Sequence, residues 1–193
     1  MKPRYSSALL GLSAYLAAMP MAEAHTFGAH GAGLAEGFAH PFLGLDHLLA
    51  MLAVGLWAAQ LGGRAKWLAP LAFVAVMAAA AGLAVAGVAL PLLEPAIASS
   101  VLVLGLLVAF AVRLPTSASV GLVGSLAVFH GFAHGLELPG AASPALYALG
   151  FAAATAMLHG IGLGLGLSMR GLALLRLGGS VIALTGLYLL ASA

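Results

Sequence analysis

The sequence predicts an all-helical integral membrane protein, with six transmembrane helices behind a cleaved signal peptide and both mature termini outside. Three observations carry that expectation. Apolar residues make up 63% of the 193 and charged residues only 6%, where a soluble domain carries about a quarter; the mean hydropathy is +1.14. From His40 onward, apolar blocks of membrane-spanning length alternate with short polar or Pro/Gly breaks. Every Lys and Arg beyond the leader falls in alternate loops between those blocks.

Residues 1–24 read as the signal peptide. Lys2 and Arg4 precede an apolar run from Ala8 to Ala18, then Pro20, then Ala22-Glu23-Ala24 with small residues at −3 and −1. A run this short, against the roughly 20 residues of a span, favours a leader over a retained anchor. Cleavage after Ala24 makes His25 the first residue and leaves 25–39 as a periplasmic segment ahead of a transmembrane domain over 40–193.

The expected spans are 41–60, 67–90, 95–112, 119–138, 145–167 and 174–191. Arg64 and Lys66 lie in the first loop, Arg113 in the third, Arg170 and Arg176 in the fifth, and none in the second or fourth. Basic residues concentrate on the cytoplasmic side, so the mature amino terminus faces out, where a signal peptide also delivers it. The location implied is a bacterial inner membrane, crossed several times, with the lipid bilayer as the main partner. Gly131 and Gly135, and the run Gly160, Gly162, Gly164, Gly166, are spaced for close helix approach, and a homo-oligomer stays open.

Composition also excludes. Seven basic and five acidic residues support no nucleic-acid-binding face, and no Walker A segment is present to bind nucleotide. With no cysteine there is no disulfide and no thiolate metal site, so a metal must be held by His, Asp, Glu, Met or backbone. Histidines, seven of them, outnumber the acids.

Ionisable groups inside spans are costly and by default suggest function. The first span opens with His40, Pro41, Asp46 and His47, with Met51 one turn on; in the fourth, His130, His134 and Glu137 stand at i, i+4 and i+7, on one helix stripe. The topology puts both motifs in the outer half, with His47 and His130 each roughly 10–12 Å below the rim at 1.5 Å per residue. A carboxylate and two or more imidazoles can then converge, a donor set that suits nickel, cobalt, zinc or oxidised copper without choosing among them. Each residue has a plainer reading as well: His40 as a helix cap, Glu137 as a solvated rim charge, Met51 as packing. His159, with Thr155 one turn earlier, lies deeper, as an inner way-station or a structural hydrogen-bonder. Glu94, between Pro91 and Pro95, reads as a rim charge or a ligand, and His25 and His30 as an external capture segment or an ordinary tail.

The leader ending before His, then HPFLGLDHLLAMLAVGLWAAQ (40–60) and FHGFAHGLELP (129–139), together resemble the HupE/UreJ family of small membrane proteins, associated with hydrogenase and urease gene clusters and regarded as nickel permeases. The resemblance runs over essentially the whole mature chain. It implies nickel uptake for hydrogenase or urease maturation, and it implicates His40, Asp46 and His47 of the first span and His130, His134 and Glu137 of the fourth. The expectation is thus a divalent-cation permease and not an enzyme, with Ni2+ as cargo and no tightly bound cofactor. Asp46 supplies charge compensation, His47, His130 and His134 the nitrogen ligands, and His40 and Glu137 the entrance; His25, His30 and His159 are secondary candidates. Two alternatives stay open: a metal-binding accessory or storage protein that does not transport, and an intramembrane metal-dependent enzyme, which the chain would have to build without an HExxH motif.

Overall fold

The apolar blocks fold into helices, in a computed structural model that describes residues 33–138, 140, 143–168 and 171–193. The expected signal peptide, most of the 25–39 segment, His25, His30 and Arg170 lie outside these. The helices are α1 (Leu34–Ala39), α2 (Leu45–Leu61), α3 (Ala65–Val85), α4 (Leu93–Ala109), α5 (Thr116–Leu136), α6 (Pro144–Ser168) and α7 (Leu172–Ser192), with a 3-10 turn over His40–Phe42 between the first two. No strand occurs among the described residues.

Helices α3, α5, α6 and α7 are long and apolar enough to cross a membrane, and α1 with α2 make a fifth candidate bent by 83°. The remaining helix, α4, has 17 residues, about 26 Å at 1.5 Å per residue against a hydrocarbon core of about 30 Å. Leu71, Leu149 and Leu184 are each more than half exposed on the outside of the bundle, a surface suited to lipid rather than water. The chain is a multi-pass membrane protein.

The bend differs from the uninterrupted helix expected from Pro41 onward, and its cause is local. Pro41 sits at the start of the 3-10 turn, where its missing N–H costs nothing. Gly44 then adopts an extended backbone (φ −95°, ψ 120°) and caps α2. The helix carrying Asp46 and His47 therefore starts at Leu45, and these residues stand in its first turn instead of two turns inside. The end of α3 also falls short of the expected 90, because Gly87 turns the chain out of the helix at φ +87°.

Apolar on all sides, α2 is central. Ala50, Met51, Ala53, Val54, Trp57 and Ala58 are fully buried, and the helix packs against α3, α4, α6 and α7. The closest crossing is with α6: a methyl added at Gly55 would collide with the backbone of His159 and Leu163, and one at Gly162 with the Leu52 carbonyl. Of the glycine run on α6, Gly162 and Gly166 face α2, while Gly160 and Gly164 face open space. Gly162→Leu is therefore expected to cost at least the ~1–3 kcal/mol typical of overpacking. Gly164→Leu should leave the thermal midpoint in detergent unchanged, and equal midpoints for the two variants would contradict this crossing.

Three polar contacts tie one end of the bundle together. Trp57 Nε1–H donates to Val112 O (2.8 Å) and Gln60 Nε2 to Val108 O (3.0 Å). Arg176 Nε–H donates to Ala109 O (2.9 Å), a cation on the carbonyl end of α4, where the helix dipole favours it. The ends of α2 and α4 and the start of α7 thus meet, bringing Arg64, Arg113 and Arg176 to the same end. The start of α2, the end of α5 and the start of α6 form the other.

Candidate metal centre

Opposite the basic end, α2 opens with Asp46 in its first turn, where the helix dipole stabilises a carboxylate. Its Oδ1 accepts the His47 backbone N–H (2.7 Å) and lies 2.9 Å from His47 Nδ1. An ionised carboxylate only accepts, so Nδ1 carries the proton and the lone pair sits on Nε2. Gly44 makes room for this pairing: a Cβ there would lie 2.8 Å from Asp46 Oδ1 and 3.3 Å from His47 Nδ1. Carboxylate, imidazole and free Nε2 form the outer-sphere arrangement common at metal-binding histidines.

The last turns of α5 supply two more rings, His130 and His134, both fully buried. Ser100 of α4 donates its hydroxyl proton to Ile97 O at 2.7 Å, which leaves its oxygen to accept His130 Nε2–H, also at 2.7 Å. The His130 lone pair is then on Nδ1. His134 stacks flat on Phe151 of α6 (centroids 4.5 Å apart, planes 6° apart), and neither of its nitrogens has a protein partner. His40, in the 3-10 turn, pairs through Nε2 with Glu137 Oε2 at 2.6 Å, just beyond the end of α5.

These residues converge. Ring centroids lie 4.7 Å apart for His47–His130 and His47–His134, 5.0 Å for His40–His134 and 6.3 Å for His40–His47. Neighbouring rings are thus in contact in the order His130, His47, His134, His40. Among the described residues, the group whose ligand atoms come close enough to share one ion, within 4.8 Å of one another, is His40, His134 and Glu137, with His47 and His130 beside it. Exposure grades inward: the Glu137 and Asp46 side chains are 28% and 26% exposed and His40 14%, with His130 and His134 at 0%. Carboxylates thus stand at the mouth and imidazoles beneath.

Among the described residues, seven buried side-chain N or O atoms lack a hydrogen-bond partner, and five are imidazole nitrogens: His47 Nε2, His130 Nδ1, both nitrogens of His134, and His159 Nε2. A buried polar atom left unpaired costs about 1–3 kcal/mol, and the concentration of four of the five, on His47, His130 and His134, at one site calls for a ligand. Lone pairs with carboxylates beside them fit a divalent cation that accepts nitrogen and oxygen donors.

All six principal candidates are brought together at this end, and His159 is not among them. It lies across the Phe73 ring, whose centroid is 5.5 Å from His130 and 5.1 Å from His159. Met51, one turn after His47 on α2, turns its sulfur toward Thr155. Glu94 is exposed in the first turn of α4. Three neighbours escaped the sequence reading: Ser100, which sets the His130 tautomer; Phe73; and Tyr147, whose ring lies 5.9 Å from His40 and whose buried hydroxyl lacks a partner. Of these, Ser100 and Tyr147 carried a signal, as hydroxyls within apolar spans. A cavity of about 230 Å³ between α3, α5 and α6 reaches His134, Tyr147 and Phe151.

Comparison with known proteins agrees with the motifs. The family described as HupE / UreJ protein matches residues 13–189. Protein HupE of Rhizobium leguminosarum bv. viciae is 48% identical over 191 residues, covering 97% of this chain and 98% of that protein. No solved structure matches. With the family pattern spanning nearly the whole length and a near-full-length relative at this identity, the chain belongs to the HupE/UreJ family.

Proposed function

We propose that the chain is an inner-membrane permease for divalent metal, with nickel for hydrogenase or urease maturation as its cargo, and that the imidazole–carboxylate cluster is its outer binding site. The observation that carries this reading is the meeting of four imidazoles and two carboxylates at one end of the bundle, with buried lone pairs lacking protein partners. Asp46 and Glu137 offset the cation's charge at the mouth; His47, His130 and His134 replace its water. An inside-negative potential supplies the drive, at about 2.3 kcal/mol per charge per 100 mV.

Orientation follows from the basic end. Arg64, Arg113 and Arg176 belong on the cytoplasmic side by charge, which turns the cluster outward. In this reading α1 with α2 make one bent span and α4 crosses as well, giving six spans with both termini outside after cleavage at Ala24. Cysteines placed singly at Ser117 and Leu172 in this cysteine-free chain should resist an impermeant thiol reagent added from outside, and one at Ser143 should react. The reverse pattern would turn the cluster inward and end the uptake reading.

Radioactive nickel uptake by proteoliposomes containing only this chain tests the function itself. Accumulation that follows the membrane potential supports a permease. Tight binding without accumulation would assign the chain to metal storage or delivery to a partner instead.

A further inference from the structure

A second group of donors lies deeper than the outer cluster. His159 on α6 is 2% exposed, and its Nδ1–H donates to the Met51 carbonyl at 2.9 Å. A carbonyl only accepts, so the His159 lone pair is on Nε2, and that buried atom has no partner. One turn earlier on the same helix, the fully buried Thr155 donates its hydroxyl to Met51 Sδ at 3.3 Å and lies 3.8 Å from Met77 Sδ. Both methionines are fully buried. His159 thus meets the backbone of Met51 while Thr155, one turn away, meets the thioethers of Met51 and Met77, so α6, α2 and α3 place an imidazole and two thioethers within a turn of one another in an otherwise apolar interior.

One neighbour links this group to the outer cluster. The Phe73 ring stands edge-on to His159 (5.1 Å, 87°) and 5.5 Å from His130, between the deeper group and the outer cluster.

We propose that His159 Nε2, with the thioethers of Met51 and Met77, forms an inner station that receives the cation past Phe73. The proposal rests on reading the outer cluster as the place where the ion enters. Its donors are chemically unlike the outer ones. They include no carboxylate, since the acids beyond the leader are Glu36, Asp46, Glu94 and Glu137, so the station holds a divalent ion weakly and lets it go. Imidazole and thioether also take nickel or copper in preference to magnesium or calcium, which require oxygen. The station therefore rejects the abundant hard cations that the outer carboxylates would admit.

The test uses His159→Asn, whose side-chain N–H can keep the Met51 carbonyl bond while Nε2 is removed, and the paired, nearly isosteric Met51→Leu with Met77→Leu. Equilibrium dialysis of the purified full chain against radioactive nickel chloride should give two ions per chain at saturation, one tight and one weak. His159→Asn should retain only the tight ion, its Kd changed less than about twofold, while uptake into proteoliposomes falls ~10-fold or more, as loss of a ligand predicts. The double methionine variant should likewise keep the tight ion and lose uptake. A single ion in the unaltered chain, a second ion retained by His159→Asn, loss of the tight ion in that variant, or normal uptake by the methionine pair would each overturn the proposal. Two ions bound with no uptake by the unaltered chain, the second lost in His159→Asn, would support the station and overturn the permease reading instead.

Discussion

His130→Ala is expected to abolish nickel uptake while the protein still reaches the membrane in normal amount. The ring is fully buried between His47 and Phe73, its Nε2 is occupied by Ser100, and its Nδ1 has no partner. Truncation removes a donor from the centre of the cluster and should lower metal affinity by ~100-fold or more, beyond the 10–100-fold that outer-sphere partners cost. A ligand at one hundred times its Kd stabilises the folded state by about 2.7 kcal/mol. Nickel should therefore raise the thermal midpoint of the unaltered chain in detergent and leave that of the variant in place. If the variant takes up nickel normally and keeps the metal-dependent shift, His130 belongs to packing.

The second large effect is expected at Asp46, where two substitutions separate two roles. Asp46→Asn retains an oxygen that can accept His47 Nδ1–H, so the imidazole stays oriented but the negative charge is gone. Asp46→Ala removes both. Charge compensation predicts that both variants lose about 10–100-fold in nickel affinity, Asn only slightly less than Ala. Near-normal binding by Asp46→Asn would show that the carboxylate serves to aim His47 and that the cation's charge is met elsewhere, with Glu137 the nearest candidate through its pair with His40.

The imidazole–carboxylate cluster was legible in the sequence because its signals are periodic. His130, His134 and Glu137 share a stripe whatever the neighbouring helices do, and the alternation of basic loops indicates which ends of two helices face the same side. The bend after Pro41 was not legible. Pro41 and Gly44 are compatible with a helix start at either residue, and the choice is made by α1 lying against α6. Nor was the role of Phe73 or Tyr147, because a lone aromatic in an apolar helix looks the same whether it faces lipid or an imidazole. Ser100 meets His130 from 30 residues away, across the packing of α4 on α5, and no spacing rule reaches that far. The same holds for His159. Its distance from Met51 in the chain is 108 residues, and only the close crossing of α2 and α6 at Gly55 and Gly162 brings them together.

The claim that the cation binds among these imidazoles and carboxylates is tested most directly by X-ray absorption at the nickel edge, on the purified chain loaded with one equivalent. The account predicts nitrogen and oxygen neighbours only, near 2.1 Å, a value typical of metal–imidazole bonds, with the multiple-scattering pattern of at least two imidazoles that disappears in His47→Ala and His130→Ala. A nickel ion surrounded by water alone, or an unchanged imidazole pattern in both variants, would contradict it.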